Sequence, residues 1–228
     1  MKQVYVVANW KSNKTVEEAK SWMETMHGLL GSSRTGKRET IILCAPFTLL
    51  STCRDSIARY SLPFSLGAQD VSPFSKGAYT GEVSAEMLKE LVTYVLVGHS
   101  ERRRYFLETD EELVFESLQA HESGLKVLYC VEHENSPVAG TADIVAYEPV
   151  SAIGTSAEDP KAAGRVCGTI KKISGKPVLY GGSVTAQNIG AYVTQPDIDG
   201  VLIGGASLDP HQFFSILATV QSCGEKTQ

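Results

Sequence analysis

Glu148, His99 and Lys11 are the side chains in this 228-residue sequence whose types, taken together, could move a proton beside a carbonyl. Glu148 follows the run Asp143 to Tyr147, which is β-branched, apolar and too short for a helix, so it reads as a buried strand. Pro149 cannot donate to a sheet and biases its predecessor away from helical geometry, which puts Glu148 at a strand mouth where the chain turns. The next residues, Val150-Ser151-Ala152-Ile153-Gly154-Thr155, are mostly small, and Gly154 is free to adopt positive φ. A carboxylate under such a loop suits a general base. His99, after Gly98, can be a neutral donor and proton carrier, and Lys11 supplies a fixed positive charge for a developing oxyanion. Gly181-Gly182-Ser183 and Gly204-Gly205 offer uncovered N–H groups to an anion. Each feature alone has a plain structural explanation: a turn, a satisfied histidine, a solvated lysine. Their joint placement gives the pattern its meaning.

That placement depends on the elements carrying them. Strands are predicted over Gln3–Ala8, Thr40–Ala45, Phe64–Ala68, Tyr94–Gly98, Lys126–Val131, Asp143–Tyr147, Pro177–Tyr180 and Asp199–Ile203. Helices lie between most of them. Thr15 to Glu18 and Thr109 to Glu112 read as capping motifs, and Asp159-Pro160 and Asp209-Pro210 as helix starts. The helix after Pro160 has Ala163, Val166, Cys167, Ile170 and Ile173 on one predicted inner face, with Gly175 as its stop. Eight short apolar strands alternating with helices fit a parallel α/β protein, and eight units favour a closed barrel over an open sheet. Closure brings every strand's C-terminal end to one rim, so Asn9, Lys11, His99, Glu148 and the glycine turns would converge there.

Composition narrows the class. Hydrophobic residues make up 43% and charged residues 21%, enough for a proper core, and the net charge is −5 without a basic block. That argues against nucleic-acid or anionic-membrane binding. The run Val4 to Ala8 is too short for a signal peptide or a membrane span, so a soluble cytoplasmic protein is expected. Five cysteines without paired spacing read as reduced thiols. Cys130 and His133, with His121 nearby, form a weak rival metal pattern.

Seven blocks in order resemble the triosephosphate isomerase family: Asn9-Trp10-Lys11, Gly67 to Val71, Gly77 to Glu82, Gly98 to Arg103, Tyr147 to Thr155, Tyr180 to Val184 and Gly200 to Leu208. The resemblance implies a single (β/α)8 TIM barrel over 1–228 and a glycolytic isomerase, active also in gluconeogenesis, interconverting dihydroxyacetone phosphate and D-glyceraldehyde 3-phosphate through an enediolate. It implies Glu148 as base and His99 as electrophile and shuttle. Lys11 and Asn9 would stabilise the enediolate, with Glu101 positioning Lys11. Gly154, Ser183, Gly204 and Gly205 would hold the phosphate. Pro149 to Thr155 would form the lid, with Ile153 and Leu202 as an apolar clamp and Tyr180 and Ser183 as a latch. No metal or organic cofactor is implied. A homodimer is expected, with a tetramer as the alternative: Thr80 would approach the partner's site and Glu82 would pair with Arg102 across the interface, where Gln69 also lies. Another sugar-phosphate isomerase or lyase on the same barrel, or a scaffold with a disabled lid, stays open.

The sequence departs from the family twice. Ser151 stands where the family usually has Trp, and His133 where that Trp has its Glu partner; Ala157-Glu158-Asp159 replaces Lys-Thr-Ala at the second hinge. The connection from Glu132 to Ala142, with Pro137 and Gly140, is so short that the fifth helix is expected to be missing or reduced to a turn. Something else must then cover the outer face of strands five and six, either neighbouring helices or another subunit.

Overall fold

The eight apolar runs form eight parallel strands that close in sequence order, with the last hydrogen-bonded back to the first. They are β1 (Val4–Asn9), β2 (Glu39–Ala45), β3 (Phe64–Ala68), β4 (Tyr94–Val97), β5 (Lys126–Val131), β6 (Ile144–Tyr147), β7 (Val178–Tyr180) and β8 (Gly200–Ile203). A computed structural model describes residues 2–31, 39–149 and 158–225. Around the barrel lie α1 (Val16–Leu30), α2 (Leu50–Tyr60), α3 (Ala85–Leu88), α4 (Ser100–Tyr105), α5 (Asp110–Glu122), α6 (Pro160–Ser174), α7 (Ile189–Val193) and α8 (Pro210–Glu225).

Strand periodicity divides the apolar residues into two cores. Val7, Ile42, Leu96, Leu128, Cys130, Ala146, Leu179 and Leu202 fill the barrel interior, while their alternating neighbours face the helices. The same alternation carries past the filled interior to the C-terminal rim, where Asn9 stands two residues beyond Val7 and Glu148 two beyond Ala146.

The caps are those the sequence specifies. Thr15 and Thr109 make reciprocal capping boxes with Glu18 and Glu112, and Asp159 caps α6 with Pro160 in its first turn. One face differs from expectation. Ile173 is 66% exposed and Val166 only half-buried. The helix is rotated toward Gly164 and Gly168, whose bare backbones lie against Gln195 and Asp197, and this turns Ile173 outward.

No helix joins β5 to β6; residues 132–143 form turns only. A second subunit is not needed to bury the strands there. Val138 and Ala139 of the connection pack on the core, the Ser117 and Thr141 hydroxyls meet at 2.8 Å, and Val127, Tyr129, Val131 and Val145 are all buried within one chain. Among the described residues no helix is long and apolar enough to cross a membrane.

Gly200 marks the tightest point of closure. A Cβ there would lie 2.1 Å from the Tyr5 carbonyl oxygen, which is strand backbone and has nowhere to go. Gly200→Ala should cost about 3 kcal/mol or prevent folding. Urea denaturation checks this, and a variant within about 1 kcal/mol of the parent would contradict the close approach.

Candidate active site

Each polar side chain at the rim is aimed by a local backbone device. Lys11 has φ 52°, a left-handed conformation uncommon outside glycine. It is held there by its own N–H donating to Asn9 Oδ1 at 2.9 Å and by Gln69 Nε2 donating to its carbonyl at 3.1 Å. The Lys11 ammonium meets Glu101 Oε1 at 2.5 Å and passes over Gly204, where a Cβ would crowd the Lys11 Cε at 3.1 Å.

Gly98, at φ 73°, breaks the alternation of β4 so that His99 swings toward the cavity as the N-cap of α4. The His99 Nδ1 accepts the Glu101 N–H at 3.2 Å, so the ring proton sits on Nε2. That nitrogen lies 3.0 Å from Glu148 Oε1, while Glu148 Oε2 accepts the Ser100 N–H at 2.8 Å. Glu148 is 2% exposed, and its stem lies against Gly181, where a Cβ would come within 2.9 Å of its Cγ. Buried Pro149 follows.

These groups line one cavity of about 390 Å³. Asn9, Lys11, His99 and Glu148 lie on its wall with Gly181 to Thr185, Leu202 and Gly204 to Ala206. Gly205 opens the short 3₁₀ turn Gly205–Ser207, whose first N–H groups are left over by the turn's own bonding and suit an anion. The sequence reading missed Thr185 and Gln212 of the lining. Gln212 lies in the first turn of α8, and Asp209-Pro210 marks that start without revealing that it faces the cavity.

Tyr180 does not line the cavity. It is fully buried, stacks on Tyr192 at 4.3 Å, and its hydroxyl accepts the Glu158 N–H at 3.2 Å; the Tyr192 hydroxyl donates to the Glu158 carbonyl at 2.5 Å. The two tyrosines thus grip both sides of one peptide residue at the second hinge. Burial raises the Tyr180 and Tyr192 hydroxyls, and the Glu158 carboxyl, above their ordinary ranges. Val150, Ser151, Ala152, Ile153, Gly154 and Thr155 lie outside the described residues.

Cys130 sits beneath Glu148 in the barrel, and burial with the neighbouring carboxylate drives its thiol well above the usual range. His121 and His133 are exposed on the outside. The rival metal pattern does not assemble, since no metal-capable group among the described residues contains these three. Of the expected interface residues, Thr80 and Glu82 are exposed in the loop after β3. Arg102 holds Asp70 and Glu108 of its own chain, and Gln69 is engaged with Lys11 and Cys44 carbonyls.

A buried carboxylate, an imidazole whose Nε2 faces it, an ammonium and an anion cradle around one small cavity can transfer protons next to the carbonyl of a phosphorylated substrate. The family model described as triosephosphate isomerase matches residues 4–141 and 136–220. Its two segments meet within the helix-free β5–β6 connection. The chain is 41% identical to the triosephosphate isomerase of Synechococcus sp. (strain JA-3-3Ab) over 244 aligned positions, covering 95% of each. It is 39% identical to that of Gloeobacter violaceus, covering 95% of this chain and 98% of that protein. It is 40% identical to that of Mesomycoplasma hyopneumoniae (strain 7448), covering 95% and 99%. The 244-position alignments exceed the chain's 228 residues, so this chain carries deletions relative to those relatives.

The hydrogen bonds of His99 fix its tautomer. Nitrogen-15 spectra of histidine-labelled protein should show the His99 proton on Nε2 and Nδ1 unprotonated; the reverse assignment would contradict the capping geometry.

Proposed function

Since the chain belongs to the triosephosphate isomerase family, we infer that it interconverts dihydroxyacetone phosphate and D-glyceraldehyde 3-phosphate. The observation that carries this reading is the Glu148 carboxylate 3.0 Å from His99 Nε2, in a cavity also lined by Lys11 and the glycine turns. Glu148 removes the proton from one carbon and returns it to the next. His99 donates from Nε2 to the substrate oxygen as it gains charge, and Lys11 and Asn9 stabilise the enediolate. Glu101 and Gln69 position Lys11 through its ammonium and its carbonyl. Ser183, Gly204 and Gly205 take the phosphate from below and Gly154 from the lid.

Glu148 is bonded to His99 and to the Ser100 N–H, so a substrate entering the cavity must draw it off these partners. The lid, Pro149 to Thr155 with Ile153 set against Leu202, would exclude water and strengthen each of these contacts. The Tyr180–Tyr192 grip holds Glu158, a residue of the second hinge.

We further propose that residues 1–228 act as one domain in the cytoplasm and as a homodimer. The loop after β3 supports the dimer: Phe74 and Tyr79 stack at 4.3 Å while each stays nearly half exposed, a rigid aromatic pair suited to insertion into a second copy. Thr80 and Glu82 follow at its tip, and Glu82 would reach the partner's Arg102.

A coupled assay supplying dihydroxyacetone phosphate and reading glyceraldehyde 3-phosphate tests the function directly; folded protein without turnover would refute it. Glu148→Asp should keep substrate affinity and lose about a hundredfold or more in kcat, because retracting the carboxylate by one methylene spoils the reacting distance. Near-parental turnover in that variant would remove Glu148 from the role of base.

A further inference from the structure

Behind α4, away from the cavity, three carboxylates share one guanidinium. Asp70 follows β3, Glu108 lies between α4 and α5, and Glu116 is on the buried face of α5 beside Leu113, Ser117 and Ala120. Arg102 Nη2 meets Asp70 Oδ2 at 2.8 Å, and its Nε binds Glu108 Oε1. Each of those carboxylates spends one oxygen on the arginine. Among the described residues the second oxygens, Asp70 Oδ1 and Glu108 Oε2, are buried without a partner. Glu116, 3% exposed, also has a buried orphan oxygen, Oε2. One oxygen from each residue lies within 4.8 Å of the others.

We propose that Asp70, Glu108 and Glu116 form a binding site for a hard divalent cation of about calcium size. Charge is the first reason. Ionised together, the three carboxylates and one guanidinium would carry a net charge of −2, which burial disfavours, so the cluster keeps protons until a cation takes their place. One divalent ion neutralises that charge. Ligand chemistry is the second: an all-oxygen anionic set selects calcium, manganese or magnesium over softer metals. Span is the third. Two ligands of one ion lie at most twice the metal–oxygen distance apart, about 4.6–5.2 Å for calcium and only about 4.0–4.2 Å for magnesium. Oxygens within 4.8 Å of one another fall inside the calcium span as they stand. A glutamate on the inner face of an amphipathic helix breaks the local pattern, as residues kept for a site commonly do. Burial raises the Glu116 carboxyl to about 9 and that of Asp70 to about 7, and the neighbouring Glu108 carboxylate adds to both.

The test uses the full chain, stripped with a chelator and folded by circular dichroism. Calcium, manganese or magnesium chloride is titrated in at pH 8, against sodium chloride of equal ionic strength. Binding should saturate at one ion per chain by calorimetry, with calcium or manganese tighter than magnesium. The thermal midpoint should rise by about 5–10 °C at a hundredfold excess over Kd. Glu116→Gln should lose both responses. Glu116→Lys, which places a cation on a covalent stem in the same space, should have a raised midpoint and no response to metal. No saturable binding to the parent, or an equal response in Glu116→Gln or Glu116→Lys, would overturn the proposal.

Discussion

The pairing of β8 with β1 is the contact on which the rest of the molecule depends. An open parallel sheet would leave Asn9 and Lys11 at one edge and the Gly204-Gly205 turn at the other. Closed, the same strands put Lys11 directly over Gly204. The seam is reinforced away from the ladder. Lys14 donates to the Leu208 carbonyl at 2.8 Å and Trp22 to the Ser207 carbonyl at 3.2 Å, while Lys2 binds Asp199 and the Ile198 carbonyl at the opposite end. Because none of the eight described strands has an exposed edge, the barrel also avoids the pairing hazard of an open sheet.

Closure explains why the missing fifth helix is tolerated. A helix on a barrel supplies apolar cover and a path back to the start of the next strand. Between β5 and β6 the chain achieves the return with turns and the cover with Val138, Ala139 and the flank of α5. The economy falls on the side of the barrel that carries no cavity-lining residue between Glu132 and Ala142. It changes the wall and leaves the rim intact, and the family match breaks at that same stretch without losing either half.

The strands were legible because buried parallel strands are runs of β-branched and apolar residues, and their ends shifted by a residue or so at most. The caps at Thr15, Thr109 and Asp159 were legible because their chemistry is local. The short helix α4 was not, since Ser100-Glu101-Arg102-Arg103-Arg104 has no apolar period; its start is set by the His99 side chain and its packing by Arg103 reaching the Gly98 carbonyl. The outward turn of Ile173 was illegible because the packed side of α6 is defined partly by what Gly164 and Gly168 lack. The meeting of Asp70, Glu108 and Glu116 needs tertiary geometry, as no sequence spacing links residues in three separate segments. Gln69 was read as an interface residue, and its bonds to the Lys11 and Cys44 carbonyls come only from the fold.

The site itself is built on absences of side chain. Glu148 can lie flat at the rim only because Gly181 has no Cβ, and Lys11 can cross to the anion cradle only because Gly204 has none. His99 reaches the cavity because Gly98 accepts a backbone angle that other residues resist. Such glycines cost conformational entropy on folding, and the left-handed Lys11 costs strain of order 1 kcal/mol. Those costs are met by bonds from neighbouring segments: Asn9 and Gln69 on the Lys11 backbone, Glu101 on both Lys11 and His99. A rim designed for stability alone would put alanines and valines at these positions. That it holds unfavourable conformations in place with hydrogen bonds is the physical sign that the geometry is kept for chemistry.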